Sequence, residues 1–123
     1  YGGVRVVLTG DIGATVEPDV ASALDDGETP PALTVLKVAH HGSGGASSAL
    51  WLGAVRPSVA VVSAGASNPF GHPAAAALTR LQSVGADVWR TDHDGEIGVR
   101  TNGAVVEVLA HTGRRRWLTP QPR

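Results

Sequence analysis

The chain has 123 residues, 42% of them apolar, and its ten basic and eleven acidic side chains leave a formal net charge of −1. That apolar share can bury the core of one modest domain, no run is long and apolar enough to span a bilayer, and no charged-then-apolar segment marks a secretion signal. With no cysteine, a disulfide framework, a zinc–thiolate site and a thiol nucleophile are excluded, so any metal must be held by nitrogen and oxygen; imidazole then favours Zn, Mn or Fe over Mg.

The opening Tyr1-Gly2-Gly3 leads straight into an apolar run. A Gly-Gly turn before a strand suggests a preceding arm of a hairpin, so the chain reads as cut from a longer protein. The first strand is predicted at 4–9, and a short helix at 18–24 uses Pro18 in its first turn. After a loop over 25–31, residues 33–38 are expected to form a second strand, apolar nearly throughout, so that both faces should be covered.

Ser47 or Ser48 can cap a helix reaching about Val55, which Pro57 stops before a third strand at 59–63. A loop over 64–71 follows. Pro73 then opens a helix with Leu78, Leu81 and Val84 on one apolar face and Gly85 at its end. A fourth strand is predicted at 87–91.

Beyond it the rhythm changes. Segments 96–101 and 104–110 flank Asn102-Gly103, the signal for a two-residue hairpin turn. The predicted order is therefore β-α-β-α-β-α-β followed by a β-hairpin, with residues 1–112 forming the domain and 113–123, including Pro120 and Pro122, a tail. The first 113 residues carry six basic against eleven acidic groups, a net of −5, while Arg114, Arg115, Arg116 and Arg123 make the tail basic. Such a body does not steer toward nucleic acid by net charge, and a short basic run most often ends a chain in solvent.

Polar clusters sit where the apolar runs stop: Thr9-Gly10-Asp11, His40 to Ser43, Asn68 to His72, and Thr91-Asp92. If the runs are parallel strands, all four fall on one edge of a sheet, where open α/β sheets place their ligands. An isolated Gly-Asp pair is most often a turn or cap, although such a carboxylate can also bridge two metal ions. His40 and His41, followed by Gly42, Ser43, Gly44 and Gly45, are an odd choice for a mere loop. One imidazole can ligate metal while the other faces a substrate oxygen or donates a proton, and the glycines allow close approach or offer N–H groups to an anion.

His72, read as lying at a helix start, should be kept neutral by the helix dipole and so serve as ligand or base. Asn68 shapes the same loop. For Asp92 a turn role and a site role are about equal, while His93 and Asp94 should face solvent and His111 has no partner in the sequence.

Taken together, Leu8-Thr9-Gly10-Asp11, the segment Leu36-Lys37-Val38-Ala39-His40-His41-Gly42-Ser43, Gly71-His72-Pro73 and Arg90-Thr91-Asp92-His93-Asp94-Gly95 resemble the C-terminal metallo-β-lactamase-like domain of ComEC-type DNA internalisation proteins. The resemblance covers nearly the whole chain up to the tail. It implies an α/β fold, the C-terminal half of an αββα sandwich, with two divalent ions, Zn or Mn, in the complete domain.

By that resemblance Asp11 is a bridging metal ligand and one of His40 and His41 is a further ligand. His40, His41 and His72 are candidate catalytic residues, and Ser43, Asn68 and Asp92 candidate substrate contacts. The implied function is phosphodiester hydrolysis of DNA during natural transformation, by a soluble extracytoplasmic domain of a bacterial cell-membrane protein. Its partners would be DNA, the missing N-terminal half of the domain and the channel portion of the same parent. The alternatives are a small-molecule phosphoesterase of the phosphorylcholine type and a catalytically silent domain that binds DNA or gates the channel. The His-x-His-x-Asp-His type motif of the first half is absent, so the chain alone is expected to bind metal weakly or not at all and to be inactive.

Overall fold

The structure is a computed structural model that describes residues 1–121; Pro122 and Arg123, the end of the predicted tail, lie outside the described residues. Four strands, β1 (Val4–Leu8), β2 (Leu33–Lys37), β3 (Val59–Val62) and β4 (Asp87–Arg90), form a parallel sheet in the order β1-β2-β3-β4. The crossovers carry α1 (Glu17–Leu24), α2 (Ala49–Val55) and α3 (Ala75–Ser83). A one-turn helix, α4 (Thr91–Asp94), then leads into an antiparallel sheet of β5 (Ile97–Thr101), β6 (Val106–Ala110) and β7 (Arg115–Leu118).

Side-chain alternation along the parallel strands divides the core in two. Val7, Leu36, Val38, Ala60 and Val62 point to one face, where Trp51, Leu52 and Val55 of α2 and Leu81 of α3 cover them, with Val20, Ala21 and Leu24 of α1 alongside. Val4, Leu33, Val35, Val59 and Trp89 point the other way and meet Val106, Val108 and Ala110 of β6. The layers are thus helices, parallel sheet, antiparallel sheet. Because both faces of β2 and β3 are covered, these strands read as continuous apolar runs. Each fully buried Leu, Val or Trp contributes about 1.5–3 kcal/mol relative to exposure.

The α/β order expected from the sequence is present, and Ser48 caps α2 as expected by accepting from Trp51 N at 3.2 Å. Four local expectations are corrected. The hairpin loop between β5 and β6 has four residues, since Thr101 pairs with Val106. Asn102 Oδ1 accepts from the N–H groups of Ala104 (3.0 Å) and Val105 (2.9 Å), which satisfies the wider loop internally. The loop also packs on the opening turn, where Gly103 O accepts from Gly3 N at 2.7 Å and a Cβ at Gly2 would stand 2.6 Å from that same oxygen.

α3 begins at Ala75, not Pro73, because Ala74 is extended and donates its N–H to Gly42 O at 2.8 Å. Val84 does not belong to the apolar face of that helix; it lies past the last helical residue and is exposed. The predicted tail is not a tail throughout, since β7 pairs with β6 and Leu118 packs on the second core cluster. Nor are its arginines simply solvated. Arg114 Nη2 reaches Asp87 at 3.0 Å and lies over the Trp89 ring at 3.7 Å, Arg115 pairs with Glu107 at 3.1 Å, and Arg116 with Asp87 at 3.7 Å. Asp87 and Trp89 are distant in sequence and Glu107 lies across a hairpin, so the run looked like a free end.

Candidate functional site

Because β1 to β4 are parallel, their C-terminal ends lie on one edge of the sheet, and the four polar clusters follow those ends. Thr9 secures the first by donating its hydroxyl to Lys37 O at 2.7 Å. Gly10, at φ +55°, then turns the chain, and its carbonyl accepts from His40 N at 3.0 Å, tying the Asp11 turn to the histidine turn.

His40 (φ 49°), His41 (φ 55°) and Gly42 (φ 81°) are three successive residues in the left-handed region. For histidine that conformation costs about 1–3 kcal/mol and persists only where the surroundings hold it. Here Ser43 N donates to His40 O at 2.9 Å and Ala74 N to Gly42 O, while a Cβ at Gly42 would stand 2.6 Å from the Cβ of Pro73. Glycine is therefore required at that position.

The strained turn aims the His41 ring. Its Nδ1 lies 2.8 Å from Ser63 O at the end of β3. A carbonyl only accepts, so Nδ1 carries a proton, and in the neutral ring Nε2 is left with the lone pair. That Nε2 lies 3.6 Å from Asp11 Oδ1, with the two side chains 50% and 63% exposed. The separation is too long for a hydrogen bond but close to the ~3.4 Å between two tetrahedral ligands about 2.1 Å from one ion. Asp11 and His41 thus fit as two donors of a metal centre. They do not complete one: among the described residues, no group of three or more His, Asp or Glu could hold an ion.

The remaining expected residues divide. The His40 ring lies 6.4 Å from His41 and 5.8 Å from His72 between centroids, and Phe70 stacks on His72 at 5.9 Å. Asn68 fixes this loop: its Oδ1 accepts from the N–H groups of Phe70 (3.2 Å) and His72 (3.1 Å), and its Nδ2 donates to Gly65 O (2.9 Å) and His72 O (2.6 Å). With α3 starting at Ala75, His72 stands outside the first turn of the helix, beyond the reach of the helix dipole. The Ser43 hydroxyl accepts from Gly45 N at 3.3 Å within the glycine loop.

Asp92 is engaged elsewhere. Arg90 donates to it through Nε (3.0 Å) and Nη2 (2.6 Å), and those bonds, with the guanidinium charge, hold its carboxyl below the usual carboxylate range and raise Arg90 in turn. Asp94, expected in solvent, accepts from Arg90 N at 3.0 Å and meets Arg114 at 3.4 Å, while His93 is exposed. Thr91 is the more direct brace, since its hydroxyl exchanges 2.9 Å hydrogen bonds with both the N–H and the carbonyl of Ala64.

Two residues that the sequence did not single out support the site from behind. Glu17 of α1, fully buried, accepts from Ser47 N and Ser48 N, the latter at 3.1 Å. Arg80 of α3 donates to the carbonyls of Ser47 (2.8 Å), Gly44 and Ala46 (2.9 Å each). Together they clamp the segment that follows the two histidines. A buried glutamate beside a helix-opening proline looks like an ordinary first-turn acid, and no local signal separates the two.

No family model matches the chain, and no solved structure matches it. It is 35% identical over 104 residues to ComE operon protein 3 of Bacillus subtilis, 33% over 96 residues to competence protein ComA of Neisseria gonorrhoeae, and 36% over 94 residues to recombination protein 2 of Haemophilus influenzae. These alignments take in 85%, 78% and 76% of this chain, yet the chain spans only 13%, 14% and 11% of the relatives' lengths. Among the described residues, no helix is long and apolar enough to cross a membrane.

Proposed function

We propose that this chain is the second half of a metallo-β-lactamase-like domain in a ComEC-type protein, and that the complete domain hydrolyses phosphodiester bonds of DNA during uptake. The observation that carries the reading is the pairing of Asp11 with His41 at the carboxyl edge of the parallel sheet, with Nδ1 of His41 committed to Ser63 O and Nε2 left free. Support comes from the competence and recombination names of the relatives and from the motif order. On this reading the domain is soluble, lies outside the cytoplasm and is joined to the membrane channel of the same parent.

Asp11 and His41 would hold divalent metal, Zn or Mn, together with donors from the missing half; when bound, the ions polarise the phosphate and lower the pKa of an attacking water. The chain's own residues do the rest. Ser63 O fixes the tautomer of His41, so Nε2 is always the donor atom. His40, exposed beside His72, would pass a proton to the leaving oxygen. Exposed Gly44 and Gly45 would keep side chains out of the path of a phosphate, and Ser43 holds their turn.

Two donors are fewer than the three protein ligands of a catalytic zinc or the four of a structural one, so the 123-residue chain alone should bind metal weakly; tight stoichiometric metal in it would contradict this reading. The decisive test is Asp11→Ala in the complete domain. Loss of metal-dependent DNA cleavage is expected, and retained cleavage would overturn the assignment.

A further inference from the structure

The chain has one phenylalanine, and the fold leaves it 75% exposed on the loop between β3 and α3. Single exposed apolar side chains are common and by themselves mean little. Phe70 is distinguished by what holds it and by where it leads. Its backbone is fixed by Asn68, which also grips His72 on both sides of the peptide chain. Its ring stacks on His72 with an interplanar angle of 24°. His72 in turn lies edge-on to His40, and His40 edge-on to His41, so a row of rings runs from Phe70 to the Asp11–His41 pair.

We infer that Phe70, backed by His72, is a stacking platform for a nucleobase of a single-stranded polynucleotide whose phosphodiester lies at Asp11 and His41; the inference rests on the phosphodiester reading of that site. Every base has a π-face, so an aromatic ring held rigid on one side and open on the other accepts any base and favours unstacked strands over duplex. Phosphate attraction is not what this chain offers, because it carries ten basic against eleven acidic groups and Arg114, Arg115 and Arg116 are paired with Asp87 and Glu107. Affinity for a strand must therefore come from the bases. Asn68 acts as a positioning residue, setting the loop that presents the ring.

Since Phe70 is the sole phenylalanine, selective ring labelling gives NMR signals of that residue alone. The 123-residue chain is titrated with a thymidine tetranucleotide and with an abasic tetranucleotide of equal charge. The expected result is a saturable upfield shift of the Phe70 ring signals with thymidine, at an affinity about 5- to 150-fold above the abasic strand. Phe70→Leu should bring the thymidine strand down to the abasic level, and Phe70→Trp should preserve the difference. Equal binding of the two strands, unmoved Phe70 signals, or no effect of Phe70→Leu would overturn the inference. In the complete domain the two claims separate: Asp11→Ala should abolish cleavage of both strands, whereas Phe70→Leu should reduce only the preference for the thymidine strand. Cleavage of both strands lost with Asp11→Ala, but with a preference unchanged by Phe70→Leu, would leave the hydrolase standing and remove the platform.

Discussion

Replacing Glu17 with alanine tests how the site is held. In the folded chain the Glu17 carboxylate is fully buried and is the acceptor for the N–H groups of Ser47 and Ser48. Alanine leaves both donors facing a cavity, and an unsatisfied buried donor costs about 1–3 kcal/mol. Ser48 is only half-buried, so water restores part of its bond, and the net loss should be about 2–4 kcal/mol. Urea unfolding followed by tryptophan fluorescence, with Trp51 and Trp89 both fully buried, measures it. Arg80→Met removes donors from three carbonyls on the same segment, but Gly44 is solvent-exposed, so about 1–2 kcal/mol is expected. Because both residues act on one segment, the double variant should depart from additivity by at least about 0.5 kcal/mol. A Glu17→Ala cost below about 1 kcal/mol, or strict additivity, would refute the clamp.

Three further outcomes are expected. Nitrogen NMR of neutral His41 should show the proton on Nδ1, donated to Ser63 O; a dominant Nε2–H form would contradict the geometry. Asp92 is held below the usual carboxylate range by Arg90, so its contribution is present above the unfolded carboxyl pKa of about 3.9 and is lost as pH falls through the lower folded value. Asp92→Asn should therefore cost about 1 kcal/mol near pH 6, with the gap from the parent chain closing in acid; a gap that persists in acid would count against the ion pair. Ending the chain after residue 113 removes β7 and the partners of Asp87 and Glu107, and should cost more than about 2 kcal/mol in the same urea assay; an unchanged midpoint would return these residues to the role of tail.

What the sequence disclosed and what it hid follow the range of the interactions. Val35, Leu36, Val59 and Ala60 lie on strands covered from both sides, so the strands read as apolar runs and the polar clusters at their ends could be placed on one edge. Ser48 was legible as a cap because its bond to Trp51 spans three residues. Glu17 was not, because its partners lie thirty and thirty-one residues away. β7 was hidden for the same reason: Arg114 finds Asp87 and Trp89 only after the chain has folded back. At the site, Asp11 and the two histidines could be named from their motifs, but only the contacts with Ser63 O and Asp11 separate His41 from His40.

That separation gives the most direct test of the metal reading. Titration of the complete domain with Mn or Zn by calorimetry, with His41→Ala and His40→Ala side by side, should show His41→Ala losing metal affinity by at least about tenfold. His40→Ala should bind metal as the parent does while cleaving DNA more slowly. Undiminished metal affinity in His41→Ala would contradict the account.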